Sequence, residues 1–193
     1  GRSIKDYLSG NRTESAILVG MGYIGLEMAE ALSLRGIHVT GVTRGFMRNY
    51  NSSIAEVVQQ TLAQHHVDLY RDRKVERIEK RGSSLAVVCN DQELEANMVL
   101  MGLGVAPNSR IAADAGIALG PKQAISVSRQ MQTSNPFIYS AGDCADAYHV
   151  VTGEKTWVPL ALLANRGGWA AADNICGKPV EVHYPEDDRA EGE

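Results

Sequence analysis

The chain has 193 residues, of which 44% are hydrophobic and 22% charged, and its formal net charge at pH 7 is −4. This length allows one good core, or one domain together with part of another. The acidic balance lacks the basic surface typical of nucleic-acid binding, and no apolar run is long enough to cross a membrane, so we expect neither kind of partner.

The cysteines favour a reducing, cytoplasmic setting. Cys89, Cys144 and Cys176 are an odd number without a C-x-x-C pair, which argues against a disulfide framework. The histidines show no metal-ligand spacing with these cysteines, so we predict no metal site. Because the chain begins with Gly1 rather than Met, we expect it to be processed or to be cut from a longer protein.

The first part of the chain predicts a β-α-β unit. A helix is expected to end at Gly10, and apolar strands are expected over residues 16–20 and 37–42. The helix between these strands is indicated by apolar residues at helical spacing: Ile24, Met28, Ala31 and Leu32.

The next segments predict a second helix and a change of architecture. Ser52 or Ser53 is expected to cap a helix that runs to about residue 65, and "VDLY" follows as a short third strand. Residues 74–95 then form short alternating segments joined by turn residues, which predicts three antiparallel strands in a meander with a charged, solvated face.

The last part of the chain predicts a return to buried strands and a helix. "MVLMGLGVAPN" and "FIYSAGDCA" are interpreted as buried strands, and "VPLALLANRGGWAAADNICG" as a helix weakened by its Gly-Gly pair. We predict an α/β fold with three segments: one domain over 1–125, part of another over 126–180, and a disordered acidic tail over 181–193.

A glycine-rich turn lies between the first predicted strand and the helix after it. Gly20, Gly22 and Gly25 form G-x-G-x-x-G in the strand–turn–helix context that a dinucleotide site requires. The first glycine permits the tight turn, the second lets the backbone approach a pyrophosphate, and the third lets helix pack on strand. The pyrophosphate would then lie at the helix N-terminus. A turn without a ligand is the alternative interpretation.

The end of the second strand bears on the choice of nucleotide. NAD sites carry an acid there for the ribose 2′-hydroxyl, but this chain has Thr43 followed by Arg44. A missing acid beside an arginine is typical of an NADP site. Arg44 as a solvated rim residue is the other interpretation, so both nucleotides stay open, with NADP favoured.

Several motifs in order resemble one family. "GMGYIGLEMAEAL", "VDLY", "ANMVLMGLGVAPN", "FIYSAGDCADAYHVVTG" and "ANRGG" are similar to the pyridine nucleotide–disulfide oxidoreductases, and most similar to their coenzyme A-disulfide reductase and NADH oxidase branch. The resemblance implies a Rossmann-like parallel sheet with a β-meander, which binds NAD(P)H, and part of an FAD-binding domain. It also implies a homodimeric flavoprotein parent in which NAD(P)H passes hydride to FAD.

The resemblance also implies roles for individual residues. Tyr23 matches the aromatic residue that covers the flavin, and Ile24 and Glu27 match residues beside the nicotinamide. Gly104 matches a glycine that lines the nucleotide, and the pair Gly142-Asp143 matches one that binds FAD. The remaining matches lie where a helix N-terminus faces the flavin ring: Leu160, Ala161 and Leu162.

Three parts of the family pattern are missing from this sequence. There is no counterpart here of the first FAD-binding half, of the redox cysteine that it carries, or of the C-terminal dimerisation domain. In addition, "PL" is followed by Ala161, Leu162 and Leu163, where the family commonly has small or hydroxyl residues. We therefore predict no catalytic residue in the chain. We interpret the chain as part of an oxidoreductase that is inactive by itself. The alternative is a non-catalytic NAD(P)-binding redox sensor.

Overall fold

The computed structural model describes residues 1–47 and 50–182, and it has the predicted α/β fold. The chain forms two compact units, Gly1–Gly104 and Val105–Glu193. The functional division at residue 125 stays a prediction, since the compact units divide earlier. The tail predicted to be disordered begins at residue 181, but Val182 is buried and its N–H donates to the Arg129 carbonyl at 2.9 Å. Residues 183–193 lie outside the described residues.

The first unit is built on a parallel sheet with helices on one face and an antiparallel meander on the other. Its strands β1, β2, β3 and β7 pair in the order β3-β2-β1-β7, all parallel, and β4-β5-β6 form the meander, as predicted. The elements in chain order are α1 Arg2–Gly10, β1 Ser15–Val19, α2 Tyr23–Ser33, β2 His38–Val42, α3 Ser52–Gln64, β3 Val67–Tyr70, β4 Val75–Arg81, β5 Ser84–Cys89, β6 Glu93–Ala96 and β7 Met98–Met101.

Strand β1 is buried on both faces, which explains its continuous apolar sequence. Ala16 and Leu18 pack in the core cluster that includes residues of α2, whereas Ile17 and Val19 pack in the cluster formed with the meander. Strand β7 was predicted to be buried as well, but only Met98 is, because β7 lies at one edge of the sheet.

Helix α2 packs on the sheet partly through small residues. Its buried residues are Gly25, Ala29 and Leu32, whereas Ile24 is 52% exposed. Small side chains allow the helix to approach the strands closely, and a pattern of large apolar residues does not detect them. The apolar periodicity therefore predicted the helix correctly, and of its four residues Leu32 is buried and Met28 packs against the core, whereas Ile24 and Ala31 are exposed.

The N-cap of α3 also differs from the prediction. Asn51, rather than Ser52 or Ser53, is the cap, and its Oδ1 accepts a hydrogen bond from the Ser53 backbone N–H at 3.1 Å. The two serines lie in the first turn, and their hydroxyls donate to the same Asn51 oxygen. Asparagine satisfies the free N–H groups as well as serine does, so the sequence alone could not separate the three positions.

The second unit contains little regular structure. The segment "FIYSAGDCA", predicted as a buried strand, has only isolated bridges at Tyr139 and Ala145, and Phe137 is 90% exposed. Without a continuous neighbouring strand in the described chain, this apolar segment forms no ladder. The elements are α4 Arg110–Asp114, a 3-10 turn Pro121–Gln123, β8 Ala147–Tyr148, β9 Lys155–Thr156 and α5 Ala161–Ile175.

Helix α5 continues through the Gly-Gly pair that was expected to weaken it. Gly167 is buried there, and a Cβ at this position would lie 3.2 Å from the Met131 Sδ and 3.4 Å from the Ala141 Cβ. The glycine thus allows α5 to pack closely on the 131–141 segment. In the described part of the chain, no helix is both long and apolar enough to cross a membrane.

A buried ion pair holds the β8-β9 hairpin to the preceding segment. The Asp146 carboxylate is fully buried, and the Lys155 ammonium lies 3.0 Å from it. Asp146 also accepts the Val127 N–H at 2.9 Å, and Lys155 donates to the Ser126 hydroxyl and the Val127 carbonyl, both at 2.7 Å. A buried charge pair is tolerated only when its remaining hydrogen bonds are satisfied in this way.

Candidate functional site

Three strand exits meet at one edge of the parallel sheet. The Gly20 N–H, just after β1, donates to the Val42 carbonyl at the end of β2, at 2.8 Å. The Gly102 N–H, just after β7, donates to the Val19 carbonyl, also at 2.8 Å. The carboxyl ends of β1, β2 and β7 therefore lie side by side, at the edge where open α/β sheets bind their ligands.

Two of the motif glycines are required by close backbone contacts. Gly20 has φ +97°, and a Cβ on it would lie 2.9 Å from the Gly102 carbonyl carbon. A Cβ on Gly25 would collide with the Gly20 carbonyl oxygen, because α2 starts directly above the turn. Hence the strand, the turn and the helix can lie this close together only because both positions lack a side chain.

Gly22 differs from its two neighbours in the motif. It is the N-cap of α2, it is exposed, and a Cβ built on it would meet nothing within 4 Å. Packing therefore does not require glycine here. No side chain caps α2, and its first turn carries no acidic residue, so no side chain neutralises the positive end of its dipole.

The residues after Gly22 lie on the exposed start of α2. Tyr23 is 64% exposed and Ile24 is 52% exposed, and Glu27 is exposed one turn later. The Tyr23 hydroxyl is hydrogen-bonded to the hydroxyl of Tyr50, which lies just before α3. The two rings meet edge to face, with their centroids 6.3 Å apart and an angle of 88° between their planes.

At the end of β2, Thr43 and Arg44 have different surroundings. Thr43 is only 8% exposed, and its hydroxyl donates to the Gly45 carbonyl at 3.0 Å. The Gly45 N–H lies 3.3 Å from the same hydroxyl oxygen, so the Thr43 side chain stabilises its own turn. Arg44 is exposed. Gly104, also exposed, lies two residues beyond Gly102 and has φ +103°.

The candidate FAD residues belong to the second unit, where two of the predicted segments meet. Gly142 has φ +82°, and a Cβ on it would lie 3.8 Å from the Ala164 Cβ in the first turn of α5. The Asp143 carbonyl accepts the Trp157 indole N–H at 2.8 Å, while the Asp143 residue is exposed. Leu160 is the N-cap of α5, with Ala161 and Leu162 following in its exposed first turn.

The three cysteines are free thiols in different surroundings. Burial, followed by the nearby Asp91 carboxylate, raises the pKa of the Cys89 thiol, which disfavours the reactive thiolate there. Cys144 is half-buried and lies 3.4 Å from the Ala141 carbonyl, and Cys176 is exposed at the end of α5. Within residues 1–47 and 50–182, no group of His, Cys, Asp and Glu side chains could hold a metal ion.

Sequence reasoning missed two residues at this edge of the sheet. Gly102 lies against Gly20, and Tyr50 contacts Tyr23 from 27 positions away. "MGLG" was recognised as a glycine-rich exit, so Gly102 had a sequence signal that was assigned to Gly104 alone. Tyr50 had none, because a contact between separate connections leaves no local pattern. Arg48, which could extend the basic group near Arg44, lies outside the described residues.

The chain is similar in sequence to known oxidoreductases. Over 186 residues the chain is 39% identical to the "NAD(P)H sulfur oxidoreductase (CoA-dependent)" of Pyrococcus abyssi, covering 95% of this chain and 41% of that protein. Over 188 residues it is 37% identical to an "NADH oxidase" of Methanocaldococcus jannaschii, covering 96% and 42%. The chain thus spans about two fifths of the length of these relatives.

The chain is also similar in fold to solved structures. Reduced "CoADR-RHD" of Bacillus anthracis superposes with a TM-score of 0.86 at 34% identity, over 94% of this chain and 33% of that one. The sequence pattern that defines one family matches residues 2–168. The chain therefore belongs to the pyridine nucleotide-disulphide oxidoreductase family.

Proposed function

We propose that this chain binds NAD(P)H across the N-terminus of α2, and that in an FAD-dependent parent enzyme it orients the nucleotide for hydride transfer to the flavin. The observation that carries the proposal is Gly22, a glycine that no neighbouring atom requires, at an uncapped helix N-terminus. A pyrophosphate lying against this backbone would explain why a side chain is absent there.

Within this proposal, each part of the edge contacts one part of the nucleotide. The N–H groups at the start of α2 bind the pyrophosphate, and Arg44 lies at the adenosine ribose, where the Thr43 turn shapes the backbone. Tyr23, Ile24 and Glu27 lie at the nicotinamide end, and Gly104 leaves room beside it. The exposure of all these residues except Thr43 supports a role in contacting a ligand.

The second unit has features that suit a flavin. Asp143 supplies an exposed carboxylate, and α5 begins without a side-chain cap at Leu160, so its dipole is available to an electron-rich ring edge. When bound, FAD would accept hydride from the nucleotide and pass on electrons. The residues of this chain would hold and orient the two cofactors, and none of its cysteines is assigned to the reaction.

The test is a fluorescence titration of the chain with NADPH and with NADH. Wild type should bind at least one nucleotide, and Gly22→Val should lose binding by roughly 100-fold or more, since the new side chain occupies the pyrophosphate space. Gly10→Val is the matched control, because Gly10 likewise has no atom within 4 Å of a built Cβ but lies at the end of α1. Equal binding by all three chains, or none by wild type, would refute the proposal.

A further inference from the structure

The contact between Tyr23 and Tyr50 joins two different parts of the candidate site. Tyr23 is the first residue of α2, while Tyr50 belongs to the connection between β2 and α3 that begins with Thr43 and Arg44. Their hydroxyls are hydrogen-bonded to each other, and their rings meet at 88°. Edge-to-face contact is a preferred geometry for aromatic pairs, so hydroxyl and ring contacts act together.

The backbone around Tyr50 is anchored on both sides. Phe46 is buried in the core, with Met47 packed against the same cluster, and the Tyr50 N–H donates to the Met47 carbonyl at 3.0 Å. Immediately after Tyr50, Asn51 caps α3. Tyr23, by contrast, has 64% of its surface exposed at a helix start, so its ring is the less restrained partner. Tyr50 therefore supplies the positioned hydroxyl, and Tyr23 is the residue that it positions.

The sheet order gives the direction in which Tyr23 is held. With strands in the order β3-β2-β1-β7, the N-terminus of α2 lies above the end of β1, between the ends of β2 and β7. An adenosine ribose at the end of β2 places the nicotinamide on the β7 side. Because Tyr50 belongs to the connection that follows β2, it bonds Tyr23 from the adenosine side of the turn.

We infer that Tyr50 is a positioning residue for nucleotide binding, which acts by fixing Tyr23 at the nicotinamide end of the site. The inference rests on the proposed binding of NAD(P)H at this edge. Without the Tyr50 hydroxyl, the exposed Tyr23 ring loses its fixed position at the start of α2, and the nicotinamide half of the nucleotide binds less tightly. The adenosine and phosphate half of the nucleotide is bound elsewhere along the edge and is not affected.

The test compares a complete nucleotide with the same molecule lacking nicotinamide. NADPH and 2′-phospho-ADP-ribose are titrated by calorimetry into the wild-type chain, Tyr23→Phe, Tyr50→Phe and the double variant. Each single variant should weaken NADPH binding by about three- to tenfold, the range of one hydrogen bond. The double variant should be no weaker than either single variant, because both lose the same bond. Binding of 2′-phospho-ADP-ribose should change less than about twofold.

Tyr7→Phe is the matched control, since it removes a tyrosine hydroxyl that bonds the Asn97 carbonyl at 3.4 Å and has no contact with Tyr23. It should leave both affinities unchanged. Additive losses in the double variant, unchanged NADPH affinity in Tyr50→Phe, or an equal loss for 2′-phospho-ADP-ribose would each overturn the inference. If the wild-type chain binds neither NADPH nor 2′-phospho-ADP-ribose, the proposed nucleotide site itself is refuted.

Discussion

Each of the two compact units of this chain is stabilised internally by a different kind of interaction. In the first, four parallel strands form a continuous ladder, and helix α2 packs on it through Gly25 and Ala29. In the second, strands are two residues long or reduced to isolated bridges, and a buried ion pair between Asp146 and Lys155 joins the segments. The first unit therefore depends on backbone proximity, and the second on particular side-chain contacts.

This difference teaches where each unit is sensitive to substitution. Where backbones lie against each other, the addition of a methyl group is the damaging change, as at Gly20 and Gly25. Where charged side chains replace a ladder, the removal of one partner is the damaging change, because the other is left charged and buried. The first two of the following experiments test the two sides of this difference.

The largest effect is expected at the buried ion pair. Lys155→Met should lower the free energy of unfolding by about 3–5 kcal/mol, since the Asp146 carboxylate would stay buried without its partner. Urea unfolding is followed by tryptophan fluorescence, because both tryptophans, Trp157 and Trp169, lie in the second unit. The double variant Asp146→Asn/Lys155→Met should recover part of the loss, as it removes the buried charge and keeps an acceptor for the Val127 N–H.

Arg110→Met is the control for this measurement. Arg110 and Asp114 form an ion pair at 3.7 Å whose side chains are 89% and 71% exposed. Exposed pairs contribute less than about 1 kcal/mol, so this variant should unfold almost as wild type does. Equal shifts for Lys155→Met and Arg110→Met would show that the second unit does not depend on its buried pair.

The next largest effect is expected at the turn of the first unit. Gly20→Ala should lower the free energy of unfolding by about 1–3 kcal/mol, because alanine is strained at φ +97° and its Cβ would collide with Gly102. Urea unfolding followed by far-UV circular dichroism measures this loss. Gly10→Ala, where a built Cβ meets no atom and φ is not positive, should be nearly neutral. A neutral Gly20→Ala would contradict the close approach of the two backbones.

A smaller effect concerns the nucleotide rather than stability. We expect NADPH to be preferred over NADH by roughly tenfold, about 1.4 kcal/mol, because no acid at position 43 repels the 2′-phosphate and Arg44 attracts it. Thr43→Asp should reverse the preference, since its carboxylate can still accept the Gly45 N–H while repelling phosphate. Thr43→Ser, which keeps the hydroxyl, should leave the preference unchanged.

Competitive titration at two salt concentrations measures this preference, which should decrease with added salt because a phosphate contact at an exposed edge is screened. A clear NADH preference in wild type that Thr43→Asp does not alter would place the specificity at other residues. Such a result would mean that the turn at Thr43 shapes the backbone without contributing to the choice of nucleotide.

The smallest effect is expected at the start of α3. Asn51→Ala should cost about 1 kcal/mol of stability, the typical contribution of an N-cap, because the Ser53 N–H loses its acceptor. Ser52→Ala is the matched control, and it should change stability by a few tenths of a kcal/mol at most, since Ser52 already lies inside the helix. Thermal unfolding followed at 222 nm compares them. A larger loss for Ser52→Ala would restore the serine as the cap.

The accuracy of the sequence prediction follows the same division between the units. The strands around the glycine motif, the meander and "VDLY" were predicted correctly, because each is specified by a period of two or by a continuous apolar run next to turn residues. In the second unit the pattern failed at "FIYSAGDCA", where the apolar residues lie in irregular backbone with only isolated bridges. A strand forms only where a neighbouring strand pairs with it, and apolar content alone does not indicate such a neighbour.

The candidate site was only partly visible in the sequence. The three glycines were found by their spacing, and their separation from Thr43 and Arg44 indicated that the ends of β1 and β2 would be neighbours. Tyr50 could not be found in this way, because its contact with Tyr23 depends on the path of a connection through Phe46 and Asn51. Spacing along the chain carries information about one element or one β-α-β unit. Tyr50 lies after β2, outside the β1-α2-β2 unit that contains Tyr23.

By itself, the sequence determined the family, the order of elements in the first unit and the glycine turn, because these depend on residues close together in the chain. Only the tertiary structure decided that Gly22 is free of packing contacts while Gly20 and Gly25 are not, since that depends on which atoms lie beside each glycine. It alone also paired Asp146 with Lys155 and with the Val127 backbone. Such contacts join separate segments of the sequence, so no regular spacing along the chain indicates them.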